Sequence, residues 1–306
     1  MKNNPIKTVR ILVLNYNGLS LLKEYLDPVI SAAEESRHSC KVTVLDNASV
    51  DGSVEFVKKY FPKADVYIAK ENKVLCSYNE ALKFYTEDIM ILLNNDIRPE
   101  DGFVDPLIEP LLHDPSVFFT ASHGDCPKVA QRWGILSAEL DFPGYLEKCE
   151  KPGFSFSAGI GAFDREKFNQ LGGYDELYLP GRYEDVDLCF RGWKKGWKGV
   201  YVPASRKYHV GGASFEKAFN ATQTQAMVFR NGILFMAKNI TDPILYAEFI
   251  LLTILKTLGS LLVLRLYFVK GFWGALRRMP AAARARKQAK VNFERSDREV
   301  LRAVNN

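Results

Sequence analysis

What this 306-residue chain lacks narrows its chemistry before any motif is read. No GxGxxG follows the first apolar run, which argues against a dinucleotide-binding Rossmann domain. Its five cysteines, Cys40, Cys76, Cys126, Cys149 and Cys189, stand far apart with no CxxC pair, so neither a zinc ribbon nor a disulfide framework is expected and a reducing compartment fits. The N-terminus is polar through Thr8, without the apolar core of a secretory signal, and the body is expected in the cytoplasm. No charge-free run reaches the roughly 18 residues of a membrane span, which sets a simple transmembrane helix aside. There is no internal repeat and no low-complexity tract.

Charge is present but unevenly placed. The net +5 divides at Leu251: beyond it stand 12 Lys or Arg against 3 Asp or Glu, and before it 29 against 33. A mildly acidic body with a basic tail points to an anionic partner for the tail, lipid headgroups or nucleic acid.

The most informative stretch is Ile89-Met90-Ile91-Leu92-Leu93-Asn94-Asn95-Asp96, an apolar run that stops at two carboxamides and a carboxylate. A run without alternation reads as a strand buried on both faces, whose polar end emerges at the edge of a parallel sheet, where ligands collect. Oxygen ligands with no thiolate nearby suit magnesium or manganese better than zinc. A strand closed by an Asx turn accounts for the same tripeptide. Residues 9–14 and 42–45 read as further strands, ending at Asn15-Tyr16-Asn17-Gly18 and Asp46-Asn47-Ala48-Ser49. Helices are predicted over 19–33 and 79–85, another opens at Asp51-Gly52-Ser53, and residues 65–69 form a short strand. This alternation implies a doubly wound α/β sheet with Asn15, Asp46 and Asp96 on one ligand-facing side. From Asp101 to Lys151 the pattern loosens among prolines and aromatics. A short helix over 165–170 stops at Leu171-Gly172-Gly173, and 199–203 reads as a strand.

A helix over 184–195, closed by Gly196, begins with Glu184, Asp185 and Asp187. Acidic residues in a first turn complement the helix dipole, which is one account of them; a catalytic base is the other. Glu184 and Asp187 share a helix face while Asp185 points about 100 degrees away, alone toward whatever lies there. Farther on, Tyr208-His209-Val210-Gly211-Gly212 takes a histidine from a strand into a glycine pair. Such a histidine is either structural or, brought to the polar strand edge, a metal ligand.

In this order, Leu14-Asn15-Tyr16-Asn17, Asp46-Asn47-Ala48-Ser49-Val50-Asp51-Gly52-Ser53, Glu71-Asn72 with Asn79-Glu80-Ala81-Leu82, and Leu92-Leu93-Asn94-Asn95-Asp96 form a series. It continues with Leu171-Gly172-Gly173-Tyr174-Asp175, Tyr183-Glu184-Asp185-Val186-Asp187-Leu188-Cys189-Phe190-Arg191 and Tyr208-His209-Val210-Gly211-Gly212-Ala213-Ser214. The series resembles glycosyltransferase family 2, the inverting enzymes of GT-A fold, and especially its rhamnosyltransferase-like members, over about residues 9–239. The resemblance implies a Rossmann-like, mixed and mostly parallel sheet flanked by helices. It implies that Leu14, Asn15, Asn17 and Asp46 line the base and ribose site of a nucleotide-diphosphate sugar, with Asn79 near that pocket. Asn94-Asn95-Asp96 takes the place of the family's DxD motif, so Asp96 would hold Mg2+ or Mn2+ bridging the two phosphates and His209 would be a further ligand. Asp185 matches the catalytic base, and Glu184 beside it helps to position the acceptor. Two departures stand out. Asn94 replaces the first DxD aspartate, and Lys73-Val74-Leu75-Cys76-Ser77-Tyr78 replaces a glycine-rich loop.

The implied function is transfer from a UDP- or dTDP-sugar to a glycan or lipid-linked glycan in surface polysaccharide synthesis. A rival is a catalytically inactive nucleotide-sugar-binding or scaffold protein at the membrane surface, which Asn94 and the altered loop keep open. Residues 1–240 are expected as the catalytic domain and 241–306 as a helical, basic extension. Over 243–279, Glu248, Lys256, Ser260, Lys270, Arg277 and Arg278 fall within one arc of a continuous helix, with Arg265 opposite unless a bend near Gly259 rephases it. Such a helix lies in a membrane interface at the cytoplasmic face, followed by basic residues 277–290 for anionic headgroups, or packs on the body. Nucleic acid is not expected as a partner, because it has no use for the apolar face.

Overall fold

In the computed structural model, which describes residues 8–125, 128–139, 145–209 and 219–305, strands and helices alternate from the start of the chain. β1 (Thr8–Asn15), α1 (Leu19–Glu35), β2 (Ser39–Asp46), α2 (Ser53–Tyr60), β3 (Asp65–Ile68), α3 (Tyr78–Phe84) and β4 (Ile89–Asn94) make the first half. Then come β5 (Ile97–Pro99), α4 (Val104–His113), β6 (Val117–Ser122), β7 (Lys128–Arg132), β8 (Ile135–Glu139), α5 (Tyr145–Cys149) and β9 (Gly153–Phe154). β10 (Gly161–Asp164), α6 (Arg165–Gln170), α7 (Glu184–Lys194), β11 (Lys198–Val202) and β12 (Lys207–His209) follow. Helices α8 (Ala221–Asn239), α9 (Pro243–Leu262), α10 (Leu266–Lys290) and α11 (Asp297–Asn305) end the described chain. Cys126 and the residues from Val210 to Ser214 singled out in the sequence lie outside the described residues.

Eight strands form one sheet in the order β3-β2-β1-β4-β10-β6-β11-β9. β3, β2, β1 and β4 run parallel, as do β6 and β11, while β10 is antiparallel to both its neighbours. The unbroken apolar run of β4 has its reason in this position. Ile89, Ile91 and Leu93 enter one core with residues of α1 and α4, whereas Met90 and Leu92 enter the core on the opposite face. β1 divides likewise, with Val9, Ile11 and Val13 on one side and Leu12 on the other.

Parallel register carries the site. Asn15 pairs with Asp46 and Leu14 with Asn94, so three polar strand ends finish level with one another. A two-stranded ribbon, β12 against β5, pairs His209 with Ile97 and so sets the histidine beside the residue that follows Asp96.

The tail departs from the single helix expected over 243–279. It breaks at residues 263–265, between α9 and α10, where Leu264 takes a left-handed φ of 53°. The arc of charges counted across that break therefore does not exist as one face. α10 packs along α8 with Gly271, Ala275, Ala282 and Ala289 buried, and α11 buries Val300 and Val304 in the main core. Lys194 of α7 and Asp297 of α11 form a buried ion pair at 2.6 Å. Asp297 also accepts from the backbone N–H groups of Thr241 and Asp242. The boundary expected at 240/241 is thus crossed by core packing and a buried charge pair. The basic run 277–290 is partly occupied as well: Arg278 donates to the carbonyls of Leu177 and Leu179, and Arg286 to that of Ala237.

Candidate active site

At the level strand ends, carboxamides and carboxylates hold one another. Asn15 donates to Asp46 at 2.8 Å and accepts from Asn95 at 2.7 Å, and all three side chains are buried. The other Asp46 oxygen accepts from the Ser49 backbone at 2.7 Å. Ser49 in turn takes the Asn17 N–H, and Asn17 Oδ1 takes that of Val50. Asn15 and Asp46, expected to line the nucleotide site, are fully buried and held by these bonds, so their side chains build the floor of this edge. Tyr16 and Asn17 are the exposed members of this edge, with Leu14 and Asn94 partly so. Gly18 is required by the same packing, since a Cβ there would lie 2.1 Å from Asn95 Nδ2.

The Asn79 carboxamide donates to the Tyr174 carbonyl at 2.8 Å and accepts the Tyr174 N–H at 2.9 Å, locking the Gly172-Gly173 loop, and Asn79 lines a cavity there with Asp175 and Lys238. In the segment that replaces the family's glycine-rich loop, Val74–Ser77 forms a 3-10 turn leading into α3. Tyr78 then buries its ring under the sheet and donates to the Leu93 carbonyl at 2.8 Å.

Asp96 and His209, distant in sequence, meet. His209 Nε2 lies 3.3 Å from Asp96 Oδ1, and that oxygen is buried with no hydrogen bond. Two atoms that can both donate electron pairs are side by side without a proton aligned between them. An orphaned buried carboxylate oxygen carries a free-energy cost that a cation removes. A carboxylate oxygen with an imidazole nitrogen can hold a divalent metal ion that completes its shell with water and substrate oxygens. Among the described residues no cluster of three or more His, Cys, Asp and Glu is present, and those residues offer this pair.

The acidic turn of α7 separates its three carboxylates as the helical period requires. Glu184 and Asp187 are buried and Asp185 is partly accessible. Asp187 accepts from Tyr178, Arg191, Lys238 and Asn239, all within 2.7 to 2.8 Å. Burial opposes its charge, but Lys238 and then Arg191 prevail and hold it well below the usual carboxylate range. Glu184 has no such company: burial, and then the neighbouring Asp185, push its carboxyl up to about 8. Burial also raises Asp185, with a contribution from Asp125. A carboxylate raised in this way is the stronger base.

Asp125 and Lys207 were not found from sequence. A Cβ on Gly159 would lie 3.8 Å from Asp185 Oδ2 and 3.9 Å from Asp125 Oδ1, so only a glycine separates the two acids. Lys207, almost wholly buried, donates to Asp125 at 3.1 Å and to Ser122 and the His123 carbonyl. Two residues along the same strand stands His209, against Asp96. Gly159 lies two positions beyond the Gly161–Leu92 pair, alongside the polar end of β4. Asp185 and Asp96 therefore belong to one edge of the sheet.

The approach to α7 is strained and held from afar. Arg182 and Tyr183 have φ of 74° and 78°, a region costly for side chains that are not glycine. Fully buried Asn231 of α8 places its amide 2.7 to 2.8 Å from the carbonyls of Tyr178, Gly181 and Arg182. Arg230 and Arg278 donate to the Leu179 carbonyl, each at 2.8 Å. No local pattern announces this clamp, because its donors come some fifty and a hundred residues later.

A family model, "Glycosyl transferase family 2", matches residues 10–172. The chain is 26% identical over 234 residues to an N-acetylglucosaminyl-diphospho-decaprenol L-rhamnosyltransferase of Mycobacterium tuberculosis, covering 65% of this chain and 75% of that protein. It is 23% identical over 232 residues to a putative polypeptide N-acetylgalactosaminyltransferase 10 of Drosophila melanogaster, covering 69% of this chain and 37% of the other. The structure is similar to that of GalNAc-T7 with UDP, GalNAc and Mn2+, with a TM-score of 0.61 and 17% identity. That match covers 79% of this chain and 49% of the other, so the chain spans about half its length. The shared architecture is the GT-A fold.

Proposed function

The chain belongs to glycosyl transferase family 2, whose members move sugars from nucleotide donors, and we propose that it is an inverting transferase using a UDP- or dTDP-sugar. The observation that carries this reading is the convergence of a partly accessible, raised Asp185 and the Asp96–His209 pair on one sheet edge.

The reaction follows from what that edge offers. An acceptor hydroxyl oxygen bonds to the anomeric carbon while the bond from that carbon to the diphosphate oxygen breaks on the opposite side. Its electron pair leaves with the nucleotide diphosphate. Asp185 takes the hydroxyl proton, help worth about 100- to 10,000-fold. Glu184, neutral at pH 7 because its carboxyl titrates near 8, adds no second charge beside the base. Asn17, Leu14, Asn94 and Tyr16 present the nucleotide surface above the buried Asn15–Asp46–Asn95 floor. Asp96 and His209 would hold Mg2+ or Mn2+, which when bound neutralises charge on the departing diphosphate. Asn94 leaves that site one carboxylate poorer than a DxD pair, which weakens the hold on the ion.

A lipid-linked glycan is the acceptor class that the name of the mycobacterial relative supports, and surface polysaccharide synthesis at the cytoplasmic face of a membrane is the matching setting. Calorimetry with UDP- and dTDP-sugars, with and without manganese, followed by transfer assays on Asp185→Asn, tests the proposal. The variant is expected to bind donor as the parent does and to lose at least about 100-fold in turnover. Normal turnover there sinks the base assignment. Metal-dependent donor binding with no transfer by the parent chain to any lipid-linked acceptor favours the inactive binder.

A further inference from the structure

The outward face of α9 is inside out. Its small polar side chains Thr253, Thr257 and Ser260 are buried against the body, while Leu251, Leu255, Leu258 and Leu262 are between 52% and 87% exposed. Hydroxyls on the buried side turn back onto the helix: Thr257 donates to the Thr253 carbonyl and Ser260 to that of Thr257. The elbow after α9 continues the exposed face with Val263 and Leu264. More than half of the large apolar side chains exposed on the described protein lie between Ile244 and Leu276. A contiguous patch on that scale marks an interaction site.

The charge around it identifies the occupant. Between Glu248 and Glu294 the chain has nine Lys or Arg and no acidic residue. Arg265, Lys270 and Arg277 are exposed beside the elbow. Trp133, at the tip of the β7–β8 hairpin, lies under Lys256 with the ammonium 4.0 Å from its ring centre, and Trp273 is exposed on α10. Gly134 presses that hairpin tip onto α9, where a Cβ would lie 2.7 Å from Phe249 Cα. Exposed leucines rimmed by tryptophan and unopposed cations match acyl chains, the interfacial layer and anionic headgroups in turn.

We propose that this face docks on an anionic lipid bilayer, with α9 lying in the interface and the elbow at residues 262–265 inserted. By length and composition Pro243–Leu262 is able to cross a membrane, but its Thr253-Thr257-Ser260 side is packed on the body, which leaves one side for lipid. A second copy of the chain would cover the leucines yet bring its own exposed Arg265, Lys270 and Arg277 against those of the first. The inference rests on the proposed function only for its purpose, since a lipid-borne acceptor would lie in the same bilayer.

Flotation of the full chain with vesicles of phosphatidylcholine, and of phosphatidylcholine mixed with phosphatidylglycerol, tests it without any sugar nucleotide. The chain is expected to float with the mixed vesicles, less so in high salt, and the Leu258→Asp/Leu262→Asp variant to lose about tenfold or more in partitioning. Both positions are exposed, so an unchanged melting temperature is expected of the variant, and Asp185→Asn floats like the parent. Failure of the parent chain to float with either vesicle, or equal flotation of the double variant, overturns the docking surface. A dimer that the two aspartates dissolve, with no flotation, overturns it in favour of self-association. Flotation without sugar transfer leaves the surface standing and counts against the reaction.

Discussion

The nucleotide edge and the base helix are both built of buried polar groups, but they are held at different range. At the first, Asn15, Asp46, Asn95 and Ser49 are held by neighbours on adjacent strand ends, through short bonds within a parallel register. At the second, α7 depends on Lys238, Asn239, Asn231 and Arg278, which arrive from helices added after the sheet is complete. The difference teaches that the donor floor is a property of the fold's first half, whereas the aim of Asp185 is a property of the helices that follow the sheet.

Removing Lys238 is the severest test of that contrast. Lys238→Ala leaves Asp187 buried with one cation fewer and frees Asp175, and should cost about 3–5 kcal/mol. Asn15→Ala, which unmakes three local bonds, should cost about 1–3 kcal/mol. Denaturant melts of the two variants decide; equal losses would erase the distinction. Next, Asn231→Ala should lower kcat by about tenfold at unchanged donor affinity, one decade corresponding to about 1.4 kcal/mol. A change confined to donor KM would place the clamp with the nucleotide edge instead.

The smallest effect concerns two acids of one helical turn whose pH responses have opposite sign. Glu184 is raised from 4.5 to about 8, so the folded chain keeps a proton that the unfolded chain has lost; that stabilisation is complete below 4.5 and disappears as pH rises through about 8. Asp187 is lowered, so its contribution is present above 3.8 and disappears in acid. Glu184→Gln should flatten the fall of melting temperature toward pH 8 and leave the acid limb unchanged. An alkaline slope identical to the parent's would show that Glu184 ionises freely.

Local pattern made the first half legible. The strand ends at Asn15, Asp46 and Asn94 follow from apolar runs that stop abruptly, and the facing of Asp185 follows from 100 degrees per residue. Burial was not legible: nothing local shows that Asn15, Asp46 and Asn79 are bonded to backbone and neighbouring side chains. Asp125 was missed because it follows β6, which the antiparallel β10 separates from β4 in the sheet, a placement that alternation of strands and helices does not foretell. The tail misled through phase. One left-handed residue, Leu264, resets the helical angle, and every face assigned across it rotates.

The ladder between β5 and β12 fixes a spacing that no count along the chain contains. Because His209 is set opposite Ile97 by main-chain bonds, the hundred-odd residues between them are free to lengthen or shorten without moving the imidazole from Asp96. A single residue inserted inside either three-residue strand would instead turn the ring to the ribbon's other side, and a change of one amino acid would undo what large insertions in the loops leave intact.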